Sequence, residues 1–244
     1  QTNFSKKLVV KLQNRSLEYS KNFLCQNSEV MNAIESISPR TANLANYINK
    51  YGPYPIYSKT TVEYFSLGEL QFEALISELK KAKQFIFLEF FIIAQGYMFD
   101  TLTEILVEKA KSGVEVRFMY DGIGAQINEP IPNKTFKKLS ESGIKLKCFN
   151  AFTPFLSTVQ NNRDHRKIVV IDGNVAFTGG INIADEYINL KERFGHWKDT
   201  GIMLRGEAVW NYTVMFLQLW ELNETKVSNY EAFIPQYHVT GDYI

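Results

Sequence analysis

Cysteine is nearly missing from this chain of 244 residues: there are two, Cys25 and Cys148. They lie far apart and form no CxxC pair, which argues against a zinc site or a disulfide framework. Both read as ordinary cytoplasmic thiols. An excess of charge of either sign is missing too. The net charge of +1 gives no reason to expect a strongly basic nucleic-acid surface, although a local patch can hide in a balanced total. Long hydrophobic runs are also absent. The longest, "FIFLEFFIIA" from Phe85 to Ala94, is interrupted by Glu89 and falls well short of the roughly 20 residues that span a bilayer. A signal peptide or transmembrane segment is therefore not expected, nor is there an internal repeat or low-complexity tract.

What is present is an ordinary globular composition, 45% apolar and 22% charged, on a chain long enough to bury a substantial core. Residues 1 to about 50 are polar with scattered apolar positions such as Leu8, Val9, Val10 and Leu12, which predicts weak helices and loops. "GPYPIY" at 52–57 marks a boundary, because Gly and two Pro favour turning or extended chain.

A regular alternation follows. Phe72, Leu75, Ile76 and Leu79 recur at helical spacing within 67–83. The run beginning at Phe85 reads as a strand covered on both faces. Leu102, Ile105 and Leu106 mark a helix that stops at Gly113. "VEVRFMY" at 114–120 alternates like a strand, a helix spans about 133–142, and "IKLKCF" at 144–149 is another strand. "TGIMLRG" at 200–206 predicts a further strand. The helix at 207–222 carries Val209, Thr213, Phe216, Leu217 and Trp220 on one stripe. This order predicts an α/β fold, an α/β/α sandwich on a mostly parallel central sheet.

The chemistry concentrates in "NNRDHRKIVVIDGNVAFTGGINIADEY", residues 161–187. Residues two apart on a strand share a face, so His165 and Lys167 point to one side. An imidazole beside an ammonium suits a phosphate: the Lys neutralises the anion, and the His attacks phosphorus or moves a proton. Asp172 lies seven strand residues from His165, about 20 Å at roughly 3.3 Å each, so the two do not form a simple triad. "DGN" at 172–174 reads instead as a hairpin turn. The return brings Gly179, Gly180 and Asn182 back towards His165. The glycines allow backbone N–H groups near a phosphate oxygen, and Asn182 adds an amide donor. A lone His or Lys at a strand entrance is more often a solvated surface group. Their combination with the turn, the glycines and Asn182 favours chemistry. Glu89, inside an apolar strand, needs a partner or points into the site.

The pattern HxKxxxxD followed by GG and N resembles the signature of the phospholipase D superfamily. The resemblance extends to "PIY", "YFSLGELQFEALISELKKAKQFIFLEFFII", "KSGVEVRFMYDGIG" and "HWKDTGIMLRGEAV", which look like the first catalytic half of bacterial cardiolipin synthases. It runs from about Pro53 to the helix ending near Glu221. Such enzymes transfer a phosphatidyl group through a phosphohistidine without a metal or cofactor, a second His from another copy of the motif serving as acid and base. The resemblance implies His165 as the nucleophile or its partner, Lys167 and Asn182 on the phosphate oxygens, and Gly180 lining the pocket. Asp172, third member of the catalytic motif, would anchor the turn. Asp199 of "HWKD" would orient a catalytic His of the opposite half; the plainer alternative pairs it with Lys198 or Arg205. His196 reads as a packing residue, and His238 suggests no role.

A cardiolipin synthase carries two such motifs and this chain one, and the family's amino-terminal membrane helices are missing. The implied organisation is a helical or linker segment at 1–52, a catalytic half at 53–225 and a linker at 226–244. The implied function condenses two phosphatidylglycerols to cardiolipin and glycerol, this chain supplying one of two half-sites. The partners would be phosphatidylglycerol, an anionic membrane surface and a second half-site, in the same full-length chain or a homodimer, but no nucleic acid. The full-length protein would work at the cytoplasmic side of the cell membrane, this fragment being soluble. The competing readings are a homodimeric phosphodiesterase or nuclease of the same superfamily and a non-catalytic membrane-docking half. In "FNAFTPFLS" at 149–157, Phe152, Phe155 and Leu156 would meet lipid if exposed and belong to the core if buried.

Overall fold

The continuous apolar run becomes strand β2 (Phe85–Phe90), and all six of its residues are buried, as a strand covered on both faces requires. It is at the heart of a seven-stranded sheet in a computed structural model that describes residues 3–127, 129–151, 163–224 and 226–235. On one side β2 pairs in parallel with β3 (Glu115–Asp121), which pairs in parallel with β4 (Lys145–Phe149). On the other side it pairs antiparallel with β5 (Ile168–Ile171), which forms a hairpin with β6 (Val175–Gly179). With β7 (Gly201–Gly206) and β1 (Thr60–Phe65) the order is β1-β7-β6-β5-β2-β3-β4.

Helices α4 (Gly68–Leu79), α5 (Tyr97–Lys111) and α6 (Asn133–Glu141) join β1 to β2, β2 to β3 and β3 to β4. The crossovers through α5 and α6 produce the parallel pairings of β2 with β3 and β3 with β4, since parallel neighbours cannot be joined by a tight turn. The sheet as a whole is mixed: β5 and β6 are joined by three residues, a connection that only antiparallel strands allow. The parallel character expected from the alternation therefore resides in β2, β3 and β4.

The described residues form two compact units, one drawn from 1–62 and 204–244, the other from 63–203. In the first, the polar start of the chain is three helices, α1 (Asn3–Lys21), α2 (Ser28–Ile37) and α3 (Pro39–Tyr51). Local capping explains why so polar a stretch is helical: Asn27 accepts from Glu29 N at 2.8 Å and Ser38 from Thr41 N at 3.3 Å, with Pro39 opening α3. Helix α7 (Val209–Trp220) buries the stripe read from the sequence. In the same unit Trp210 Nε1 donates to Phe23 O at 2.7 Å and Gln218 Nε2 to Ser20 Oγ at 2.8 Å. Among the described residues no helix is long and apolar enough to cross a membrane.

The hairpin turn is held from outside. Asp172 and Gly173 both have positive φ, 51° and 67°, at the two central positions of a turn that Asn174 N–H closes on Ile171 O at 3.0 Å, a backbone whose twist suits the strands. The Asp172 carboxylate then accepts three backbone N–H groups at the start of β2: Lys83 at 2.8 Å, Gln84 at 2.8 Å and Phe85 at 2.9 Å. Asp172→Ala is expected to destabilise the fold by about 3–5 kcal/mol, because charge-assisted bonds to otherwise unsatisfied N–H groups are lost. Urea denaturation would measure this, and an unchanged midpoint would rule out the anchoring role.

Candidate active site

The segment 163–167 enters β5 as irregular chain, so the strand begins at Ile168 and His165 and Lys167 precede it. The two still converge on one side chain, Phe91, which follows the last residue of β2. The His165 and Phe91 ring centroids are 4.8 Å apart, and Lys167 Nζ lies 5.4 Å from the Phe91 ring. His165 is exposed, whereas Lys167 is buried. Lys167 Nζ donates to the His165 carbonyl at 2.7 Å, and its stem lines a small cavity with Gln71, Phe90, Met98 and Phe177. Burial pushes the Lys167 ammonium below its ordinary pKa, and the carboxylates of Asp164 and Asp199 pull it partly back. A desolvated cation of this kind gains most from an arriving anion.

The second wall follows β6. Gly179 has φ 153°, and a Cβ there would lie 2.4 Å from Thr200 O. A Cβ on Gly180 would lie 2.1 Å from Asp199 Oδ1. The paired glycines therefore let the Asp199–Thr200 segment pass against the end of the hairpin. Gly180 N–H is engaged with Thr200 O at 3.1 Å, so the visible use of this glycine is the room it leaves for the Asp199 carboxylate. Asp199 Oδ1 in turn accepts Thr200 N–H at 2.8 Å.

Asn182 is buried, its Oδ1 accepting Ile92 N–H at 2.9 Å and its Nδ2 donating to Tyr187 Oη at 2.8 Å. It ties the return strand to the chain just beyond Phe91. Asn189, in the left-handed region at φ 57°, closes the next loop: its side chain accepts Trp197 N–H at 2.6 Å and donates to Trp197 O at 3.0 Å and Glu69 Oε1 at 2.8 Å. Trp197 packs on Tyr187 with ring centroids 4.9 Å apart. This brace sets the path of the chain two residues before Asp199.

Beneath His165 lies a buried charge cluster. Glu89 is fully buried and meets Arg166 Nε at 2.5 Å. Arg166 Nε also reaches Asp164 Oδ1 at 3.3 Å. Asp164 N–H donates to Asp121 Oδ2 at 3.1 Å, and Arg163 Nη1 meets Asp121 Oδ1 at 3.2 Å. Burial pushes the Glu89 carboxyl well above its ordinary range; Arg166 opposes this, while the charge of Asp164 and a hydrogen bond with it add to it. Burial and Asp164 thus disfavour the charged form of Glu89, and Arg166 favours it. The partner that an acid in an apolar strand needs comes from "RDHRK", the segment that carries His165.

Of the six residues singled out in the sequence, His165 and Lys167 meet at Phe91, Asn182 is tied to Ile92 just beyond it, and Gly180 lies against Asp199. Asp172 is at the other end of β5, beside Phe85. His196 is exposed, and Phe152, Phe155, Leu156 and His238 lie outside the described residues. Phe91, Tyr187, Asn189 and Arg166 were not picked out in the sequence. Among them only Arg166 had a signal, a cation two residues before the strand start at Ile168 in a chain with one buried-looking acid, Glu89, left without a partner. No group of three or more His, Cys, Asp or Glu among the described residues is arranged to hold a metal ion.

Two substitutions test this geometry. Gly180→Ala is expected to push the Asp199 carboxylate from the space it fills, at the expense of its bond to Thr200 N–H, and so to change anion binding more than stability; phosphate titration beside a urea melt separates the two effects. For Glu89 the sign of the pH dependence follows from its raised pKa. Its contribution to stability is fully present below the unfolded value of 4.5 and is lost as pH rises through the higher folded value. Glu89→Gln cannot ionise, so wild-type stability should fall relative to this variant as pH is raised. Parallel lines in urea melts across that range would refute a raised Glu89 pKa.

Comparison with known proteins places the chain in a family. The model described as "Cardiolipin synthase, PLD-like domain" matches residues 75–220. An uncharacterised protein of Streptococcus mutans is 47% identical over 209 residues, 84% of this chain and 44% of that protein. A cardiolipin synthase of Geobacillus thermodenitrificans is 39% identical over 191 residues, 77% of this chain and 38% of that protein. The chain thus spans less than half the length of these relatives. Among solved structures, a phosphatidylserine synthase of Haemophilus influenzae superposes with TM-score 0.51 at 17% identity, over 70% of this chain and 41% of that one; at that identity the likeness concerns the fold. With the matched family model covering more than half of its residues, this chain belongs to the cardiolipin synthase, phospholipase D-like domain family.

Proposed function

We propose that this chain supplies one half-site of a phosphatidyltransferase that condenses two phosphatidylglycerols to cardiolipin and glycerol. The observation that supports it most is the desolvated Lys167 between an exposed imidazole, His165, and a carboxylate, Asp199, with side-chain-free Gly180 alongside. In the reaction one imidazole attacks the phosphorus of a phosphatidylglycerol, and the P–O bond to the departing glycerol breaks. A second imidazole gives that glycerol its proton. It then takes the proton of the acceptor hydroxyl, which attacks the phosphohistidine and frees the first imidazole. His165 takes one of these roles and the His of a second motif the other. Lys167 and Asn182 hold the phosphate oxygens, and Asp199 orients the imidazole across from it.

Residues 53–225 act as the catalytic half, with 1–52 preceding it and 226–244 leading towards the second. The whole protein works at the cytoplasmic face of the cell membrane. That the chain spans less than half of its relatives supports a half-site that needs a second copy or the missing half.

The test incubates the chain with phosphatidylglycerol vesicles over a range of protein concentrations, alone and with the second half supplied. Mass spectrometry follows cardiolipin and a phosphatidyl adduct on His165. Product is expected to rise more steeply than in proportion to the chain alone, or to appear on adding the second half. His165→Ala is expected to lower the rate by at least about 10³-fold with little change in stability, because the ring is exposed. Full activity in that variant would overturn the mechanism.

A further inference from the structure

Helix α3 buries its small side chains and displays its large ones. Ala42 and Ala45 are buried, whereas Leu44, Tyr47, Ile48 and Tyr51 are 58%, 62%, 43% and 65% exposed. These four stand at i, i+3, i+4 and i+7, which lays them along one stripe of the helix. Ile37, at the end of α2 just before the turn into α3, is 73% exposed as well. Single exposed apolar residues need no explanation, but a contiguous stripe marks a surface that something covers.

The charges on α3 indicate what covers it. The helix contains no Asp or Glu, and its two charged residues, Arg40 and Lys50, are both basic and both exposed. Neither forms an ion pair among the described residues; Lys50 Nζ instead lies 5.3 Å from the Tyr51 ring. Leu and Ile along the stripe, Tyr beside them and unpaired cations at the rim match a helix lying in the headgroup layer of an anionic bilayer. A protein partner fits less well. Two tyrosines of about 200 Å² each and two aliphatic side chains, all roughly half exposed, fall short of the ~800 Å² per partner of a stable interface. With 13 residues, α3 is also too short to span the bilayer.

We propose that α3 is an interfacial membrane-docking helix. Leu44 and Ile48 enter the acyl boundary, Tyr47 and Tyr51 sit at headgroup level, and Arg40 and Lys50 meet lipid phosphates. The surface is independent of the His165 chemistry, so either reading can fail alone.

The test is co-sedimentation of the full chain with vesicles of phosphatidylcholine, with or without phosphatidylglycerol, alongside two variants. Leu44→Glu/Ile48→Glu alters exposed positions and should keep the helical circular dichroism; Arg40→Gln/Lys50→Gln removes the cations. Wild type should pellet with phosphatidylglycerol-containing vesicles, and His165→Ala should match it. The Glu variant should lose at least about tenfold in partitioning, and the Gln variant about fivefold per cation removed. Unchanged binding of the Glu variant, or no binding by wild type, overturns the proposal. So does a wild-type dimer that the Glu variant converts to monomer without any change in vesicle binding, since the stripe would then face a second copy of the chain.

Discussion

The pairing of β5 with β2 carries the site, and carboxylates pin it at both ends. At the turn, Asp172 collects three N–H groups from the start of β2. At the entrance, Arg166 reaches Glu89 inside β2. Slipping a strand by one residue exchanges its faces, which would move Lys167 out of its cavity and His165 off Phe91. A buried ion pair is a poor source of net stability, because desolvation offsets much of the attraction. It is informative about register: only one alignment of these strands gives Arg166 a buried acid and Asp172 three unsatisfied donors.

The opposite wall depends on closeness rather than on charge. Two glycines let β6 and the start of β7 approach until Asp199 occupies the space of a missing Cβ. Asn182 and Asn189 brace the intervening loops through their amides. Between the walls Lys167 is left with its cation partly desolvated and its nearest carboxylates shared with other partners.

Much of the fold was legible locally. The helix and strand at 67–90, the crossovers through β4 and the stripe of α7 follow from periodicity, and periodicity reports which face of an element is apolar. The DG turn likewise announced the β5–β6 hairpin. The helices at 3–51 were less legible, because α3 turns its large apolar residues outward and buries alanines, the reverse of the usual signal. Mixed strand direction was not legible either: the order of elements says little about how the chain returns to β5 after β4.

The sequence by itself determined the candidate residues: His165, Lys167, Gly180, Asn182 and Asp199, with Asp172 at the turn. Residue types and short spacings are local properties, and phosphate chemistry narrows them sharply. Only the tertiary structure decided what each one touches. It took Glu89, 77 positions from Arg166, to account for the "RDHRK" segment, Phe91 to bring His165 and Lys167 together, and the approach of Asp199 to explain Gly180. Burial and contact between residues far apart in the chain depend on the whole fold, and no window of the sequence contains them.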